Sequence, residues 1–133
     1  MKPASGTAIL PAMELPARLL VAMAGLLGAA GVVTAAVAAH GGGNETLRTA
    51  ALFLLLHAAA ITAASAVGMR IQASWPIPFV AGGLLAVGTL LFCGDLIARE
   101  WLGSRLFPMA APAGGSILIV GWLTLAIGAI AGR

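Results

Sequence analysis

Ala50-Ala-Leu-Phe-Leu-Leu-Leu-His57-Ala-Ala-Ala-Ile-Thr62 is an apolar run broken near its middle by one ionisable side chain. In a water-soluble protein, an ionisable residue amid Leu and Ala is tolerated mainly at a surface. Inside a membrane it marks either a site or a fixed polar contact. Reading outward from His57 therefore means asking first what solvent the chain sees.

That solvent is lipid. Of 133 residues, 61% are hydrophobic and 8% charged, against roughly 45–50% and about 25% for soluble domains. A chain this short buries too little of its surface to hide so much apolar area. The net charge of +3 comes from isolated Lys and Arg at the ends of apolar runs. No basic patch exists of the kind nucleic-acid binding needs, so that partner class is excluded. Cys93 is the single cysteine, which rules out an internal disulfide.

The apolar runs set the architecture. Residues 1–14 hold Pro3, Ser5, Gly6 and Pro11 and read as a loose or interfacial tail ahead of a domain over 15–133. Ala17 to Ala39 is apolar apart from Arg18 and Thr34, just over the roughly 20 residues that cross about 30 Å of hydrocarbon. Ala36-Val-Ala38 resembles a signal-peptidase site, but the apolar run exceeds the roughly 7–15 residues of a signal core, so a retained span is expected. The glycines after His40 end that helix, and Asn44 or Thr46 suits the cap of the next. Pro76 and Pro78 open a third helix, and a fourth begins between Pro108 and Pro112. The expected helices cover 17–39, 48–68, 76–98 and 112–131. Joined by short connections, they predict an all-α integral membrane protein, an antiparallel four-helix bundle running up-down-up-down.

Both termini then share one side, with Lys2, Arg18, Arg70 and Arg133; Arg48, Arg99 and Arg105 lie on the far side. The positive-inside rule leans toward termini in the cytoplasm, in a bacterial inner membrane. Because lipid gives helices no hydrophobic reason to associate, small residues must let them approach. Gly25, Gly28 and Gly31 on the first helix, and Gly114, Gly115, Gly121 and Gly128 on the fourth, are the expected packing positions.

Depth follows from about 1.5 Å of rise per residue. His57 lies nine residues past Arg48, roughly 13–14 Å down and near the midplane. Thr89 and Trp122 fall at the same depth and Thr34 slightly nearer the far side, so His57, Thr89, Trp122 and Thr34 form a candidate intramembrane polar network. The stripe of Ala50, Ala60 and Ala64 on the same face turns His57 inward. Two readings stay open: a neutral imidazole joining helices, or a proton or ligand site. A relay wants an acidic partner at that depth, and none of the four acidic residues is there, which favours the first.

A second group gathers at the far-side mouth: His40, Cys93, Asp95 and Ser116. Metal centres use three or four ligands at recognisable spacing, and a Cys–His nucleophile needs hydrogen-bond reach. The plainer reading pairs Asp95 with Arg99 one turn on. His40 and His57 sit at different depths, which disfavours a bis-histidine haem. No catalytic residue, cofactor or metal is expected.

Thr34-Ala-Ala-Val-Ala-Ala-His40-Gly, Phe53-Leu-Leu-Leu-His57, Gly88-Thr-Leu-Leu-Phe-Cys-Gly-Asp95 and Ala111-Pro-Ala-Gly-Gly-Ser116 followed by Trp122 together resemble the family catalogued as domain of unknown function 423, the YgdD-like and transmembrane protein 256-like small membrane proteins. The resemblance spans about Leu19 to Gly132. It implies four membrane helices and places His40, His57, Gly114, Gly115 and Trp122 on family motif positions. Asp95 departs from that pattern, which has Ser there. The family carries no established activity.

These readings predict a non-enzymatic accessory or assembly subunit in the lipid bilayer, docking a membrane-protein partner or a second copy through Gly/Ala faces. The alternative is a small oligomeric transporter or channel, with His57 at its midplane and His40/Asp95 at one mouth. A membrane enzyme using Cys93 is the weakest of the three.

Overall fold

The computed structural model describes residues 15–42, 44–70 and 76–131. The tail expected over 1–14, the turn over 71–75 and the terminal Gly132-Arg133 lie outside the described residues. Four helices make up the fold: α1 (Leu15–His40), α2 (Glu45–Arg70), α3 (Ile77–Leu102) and α4 (Ala110–Ala131). All four are long and apolar enough to cross a membrane, and no strand occurs among the described residues. Three of them have 26 residues, or about 39 Å, which exceeds the hydrocarbon thickness and carries their ends into the headgroups.

Local chemistry sets the ends. Asn44 Oδ1 accepts the Leu47 N–H at 3.0 Å, so Asn44 caps α2, which starts three residues before the expected Arg48. The Asn44 amide also donates to Glu100 Oε2 at 2.5 Å, tying the α1–α2 connection to the end of α3. α3 itself runs four residues past the expected Ala98. Arg99 to Leu102 are helical because Asp95 and Arg99 pair across one turn, and the helix stops only where Gly103 takes a left-handed φ of 66°.

Neighbouring helices run antiparallel, as their contacts show. On α1 and α2, Gly28 meets Ala58 and Gly31 meets Leu54 and Leu55. On α2 and α3, Gly68 meets Phe79 and Ala64 meets Gly82. On α3 and α4, Gly88 meets Leu118, Gly114 meets Phe92, Gly121 meets Leu85 and Gly128 meets Ile77. In each pair the numbers fall on one helix as they rise on the other. The main contacts are sequential, α1 on α2, α2 on α3 and α3 on α4, while α1 touches α3 lightly and α4 makes at most slight contact with α1 and α2. Hence α2 and α3 are the central helices, and α1 and α4 give most of their surface to lipid.

The α3–α4 seam is the closest. Gly114, Leu118, Gly121 and Gly128 repeat at four, three and seven residues, a stripe that keeps one face on its neighbour. A Cβ at Gly114 would lie 2.5 Å from the Phe92 backbone nitrogen and 2.9 Å from the Gly88 carbonyl oxygen, so two main chains meet there. A Cβ added at Gly31, Gly121 or Gly128 would lie 3.0 Å or less from a neighbouring side chain, and one at Gly28 or Gly115 would be at ordinary contact distance. Gly25 departs from expectation. A Cβ there would meet nothing within 4 Å, because steps of three residues drift about 60° and carry Gly25 about 120° away from Gly31.

Candidate functional site

At the midplane α2, α3 and α4 bring together Phe53, His57, Phe92 and Trp122. His57 is 2% exposed and Trp122 42%. The imidazole Nδ1 lies 2.8 Å from the Phe53 carbonyl oxygen one turn back on α2. A carbonyl only accepts, so Nδ1 carries the proton and donates. Nε2 is then the acceptor, and the Trp122 indole N–H donates to it at 3.3 Å. The two partners fix one neutral tautomer and use both ring nitrogens. Phe53 stacks on His57 at 5.5 Å between centroids, Phe92 packs on Phe53 at 4.7 Å, and Trp122 meets His57 edge-on at 6.0 Å. Edge-on and offset rings are the preferred aromatic arrangements. The arrangement can hold a neutral imidazole and couple α2 to α4, which otherwise barely meet.

Thr89 and Thr34 are not partners of His57. The Thr89 hydroxyl, fully buried, donates to the Leu85 carbonyl at 2.6 Å, and the Thr34 hydroxyl to Ala30 at 2.7 Å. Both bond within their own helix, as hydroxyls without a reachable neighbour do. Depth alone predicts their approach; rotation about the helix axis decides otherwise. Phe53 and Phe92 join the site without having been expected in it, although Phe53 sits one turn before His57 and that spacing is visible in the sequence.

The far-side residues do not form one mouth. His40 is exposed and its Nδ1 lies 2.8 Å from the Ala36 carbonyl; Ser116, also exposed, donates to the Pro112 carbonyl at 2.9 Å. Cys93 is buried and its thiol points at the Ala50 carbonyl, 3.5 Å away on α2. None of these three bonds to Asp95. Asp95 is itself fully buried. One carboxylate oxygen takes the Arg99 guanidinium, and the other accepts the Leu106 N–H at 3.0 Å. Asp95 therefore staples the α3–α4 connection to the flank of α3. The Leu106 bond has no signal in the sequence, since a backbone N–H eleven residues on follows from the loop's path. Arg99 Nε is buried and has no hydrogen-bond partner among the described residues. Among the described residues no three His, Cys, Asp or Glu side chains lie close enough to share a metal ion.

Residues 27–115 match the model of a family described as protein of unknown function (DUF423). That segment holds His40, His57, Cys93, Asp95, Gly114 and the facing sides of α1, α2 and α3. No solved structure matches the chain.

Proposed function

The chain belongs to the DUF423 family, and from that premise we propose that it is a non-enzymatic accessory or assembly subunit that packs against a larger membrane complex. One observation carries this reading: among the described residues, the five fully buried polar residues, Thr34, His57, Ser65, Thr89 and Asp95, each have a hydrogen-bond partner inside the protein. His57 has both ring nitrogens engaged, Thr34, Ser65 and Thr89 bond their own helices, and Asp95 is held by Arg99 and Leu106. A transport site keeps polar groups free for its cargo; here His57 joins two helices and Asp95 holds a loop. Meanwhile α1 and α4 offer long apolar faces, and around Gly25 the surface of α1 is open. Such a face admits close approach by another helix. Placement in a bacterial inner membrane with cytoplasmic termini belongs to the same reading.

Extraction in mild detergent, followed by sizing and native mass spectrometry, tests it. A defined complex that Gly25→Leu dissolves, with the chain still folded, is expected. A clean monomer with no protein bound would sink the proposal. The transporter reading rests on Trp122, whose half-exposed ring connects the lipid-facing surface to His57. A His57→Leu variant that loses flux in vesicles without losing stability would favour it instead.

A further inference from the structure

The connection between α3 and α4 combines a backbone path and a surface that the fold alone does not require. Leu106 donates to Asp95, which lies seven residues, or about 10 Å of helix, before the end of α3 at Leu102. The chain thus leaves α3 at its tip and doubles back along it, toward the bilayer, before α4 begins. At the tip of α3 and along this path, Trp101, Leu102, Leu106, Phe107 and Met109 are 45% to 74% exposed. A loop standing in water would bare five large apolar side chains within nine residues, the kind of patch soluble surfaces avoid. At the headgroup level the same side chains, with Trp and Phe among them, are where such rings belong.

Charge on this stretch is arranged to match. Arg99 is paired with Asp95 and Arg48 with Glu45, while the exposed Glu100 carboxylate accepts a hydrogen bond from the Asn44 amide and keeps its charge. Arg105, in the middle of the loop, is exposed and has no ion pair among the described residues. A cation flanked by apolar side chains that enter the acyl boundary is complementary to a lipid that is anionic at its head and apolar below it. We propose that residues 101–109 form an interfacial site for an anionic phospholipid, with Arg105 contacting the phosphate and Trp101, Leu106 and Phe107 lying along the upper acyl chain. Asp95 and Arg99 position the loop and do not touch the lipid.

The test uses the full chain in mild detergent, titrated separately with phosphatidylglycerol, phosphatidylcholine and inorganic phosphate while thermal unfolding is followed. Phosphatidylglycerol is expected to raise the unfolding midpoint, and the other two to leave it in place. Arg105→Gln should weaken the apparent affinity for phosphatidylglycerol about fivefold, from the ~1 kcal/mol that a basic residue near an anionic surface contributes. Phe107→Ser should weaken it too while leaving the lipid-free midpoint near the parent's. The proposal is overturned if Arg105→Gln responds to phosphatidylglycerol as the parent does, if inorganic phosphate reproduces the effect, or if phosphatidylcholine stabilises equally.

Discussion

His57 and Asp95 are both ionisable, both withdrawn from solvent inside the span, and the chain treats them in opposite ways. At the midplane the imidazole stays neutral, giving one proton to its own helix and taking a hydrogen bond from Trp122 on another. Seven residues from the tip of α3 the carboxylate sits against a guanidinium and a backbone N–H. Depth accounts for the difference. Charge is most costly at the bilayer centre and falls off toward the interface, where Arg can also reach headgroups. A neutral polar contact is therefore suited to joining helices in the middle of the span, and an ion pair to fixing a connection near its edge.

The sharpest way to break this comparison is to remove the carboxylate. Asp95→Ala leaves Arg99 buried in part without its counter-charge and the Leu106 N–H without an acceptor, and removing one member of such a pair is far worse than never having had it. Its loss of thermal stability is expected to exceed that of every other single substitution proposed for the span. Asp95→Asn, which keeps an acceptor for Leu106 and loses the charge, should fall between it and the parent. Equal stability of all three in thermal unfolding would mean that the loop is not held by Asp95.

Next in size is Gly114→Ala, which tests how Trp122 is delivered to His57. The added methyl would face the Phe92 and Gly88 main chains at 2.5–2.9 Å, and backbone cannot swing aside as a side chain can. A loss of about 3 kcal/mol is expected, the upper end for overpacked cores, accompanied by a change in Trp fluorescence as α4 lifts from α3. Gly25→Ala, with open space around it, should leave the monomer's stability where it was.

A double-mutant cycle then measures the midplane contact itself. His57→Leu and Trp122→Phe together should show a coupling of about 0.6 kcal/mol, and no more than about 1.7, in line with interhelical hydrogen bonds in membranes. Zero coupling would reduce the pair to simple packing and remove the distinction between the two sites.

Much of this architecture is legible in the residues because lipid imposes a length and an apolar composition on each span, and short connections force neighbours to alternate. The depth of His57 and Trp122 follows from the same counting. Depth is one coordinate, however, and a side chain's partner also depends on which way its helix is turned. Trp122 is turned toward His57; Thr89 and Thr34 are at suitable heights and bond their own helices. Gly25 illustrates the same gap, since it shares its spacing with Gly28 and Gly31 but faces outward. α2 and α3 outrun the lengths that hydropathy suggests because Asn44 and the Asp95–Arg99 pair extend them. The loop's return to Asp95 depends on contacts that no local pattern encodes.

Thr89 offers the smallest and most specific test of that reading. Thr89→Val replaces a hydroxyl that bonds only Leu85, whose carbonyl sits in the ladder of α3 in any case. Its removal should cost less than about 0.6 kcal/mol, below the mean for a bond between helices. Combined with His57→Leu, the effects should add, because two side chains without a shared partner are energetically independent. A non-additive pair would place Thr89 among the contacts of His57, in a second arrangement of the span. The neutral pin at the midplane would then have two settings, and the balance between scaffold and transporter would shift toward the latter.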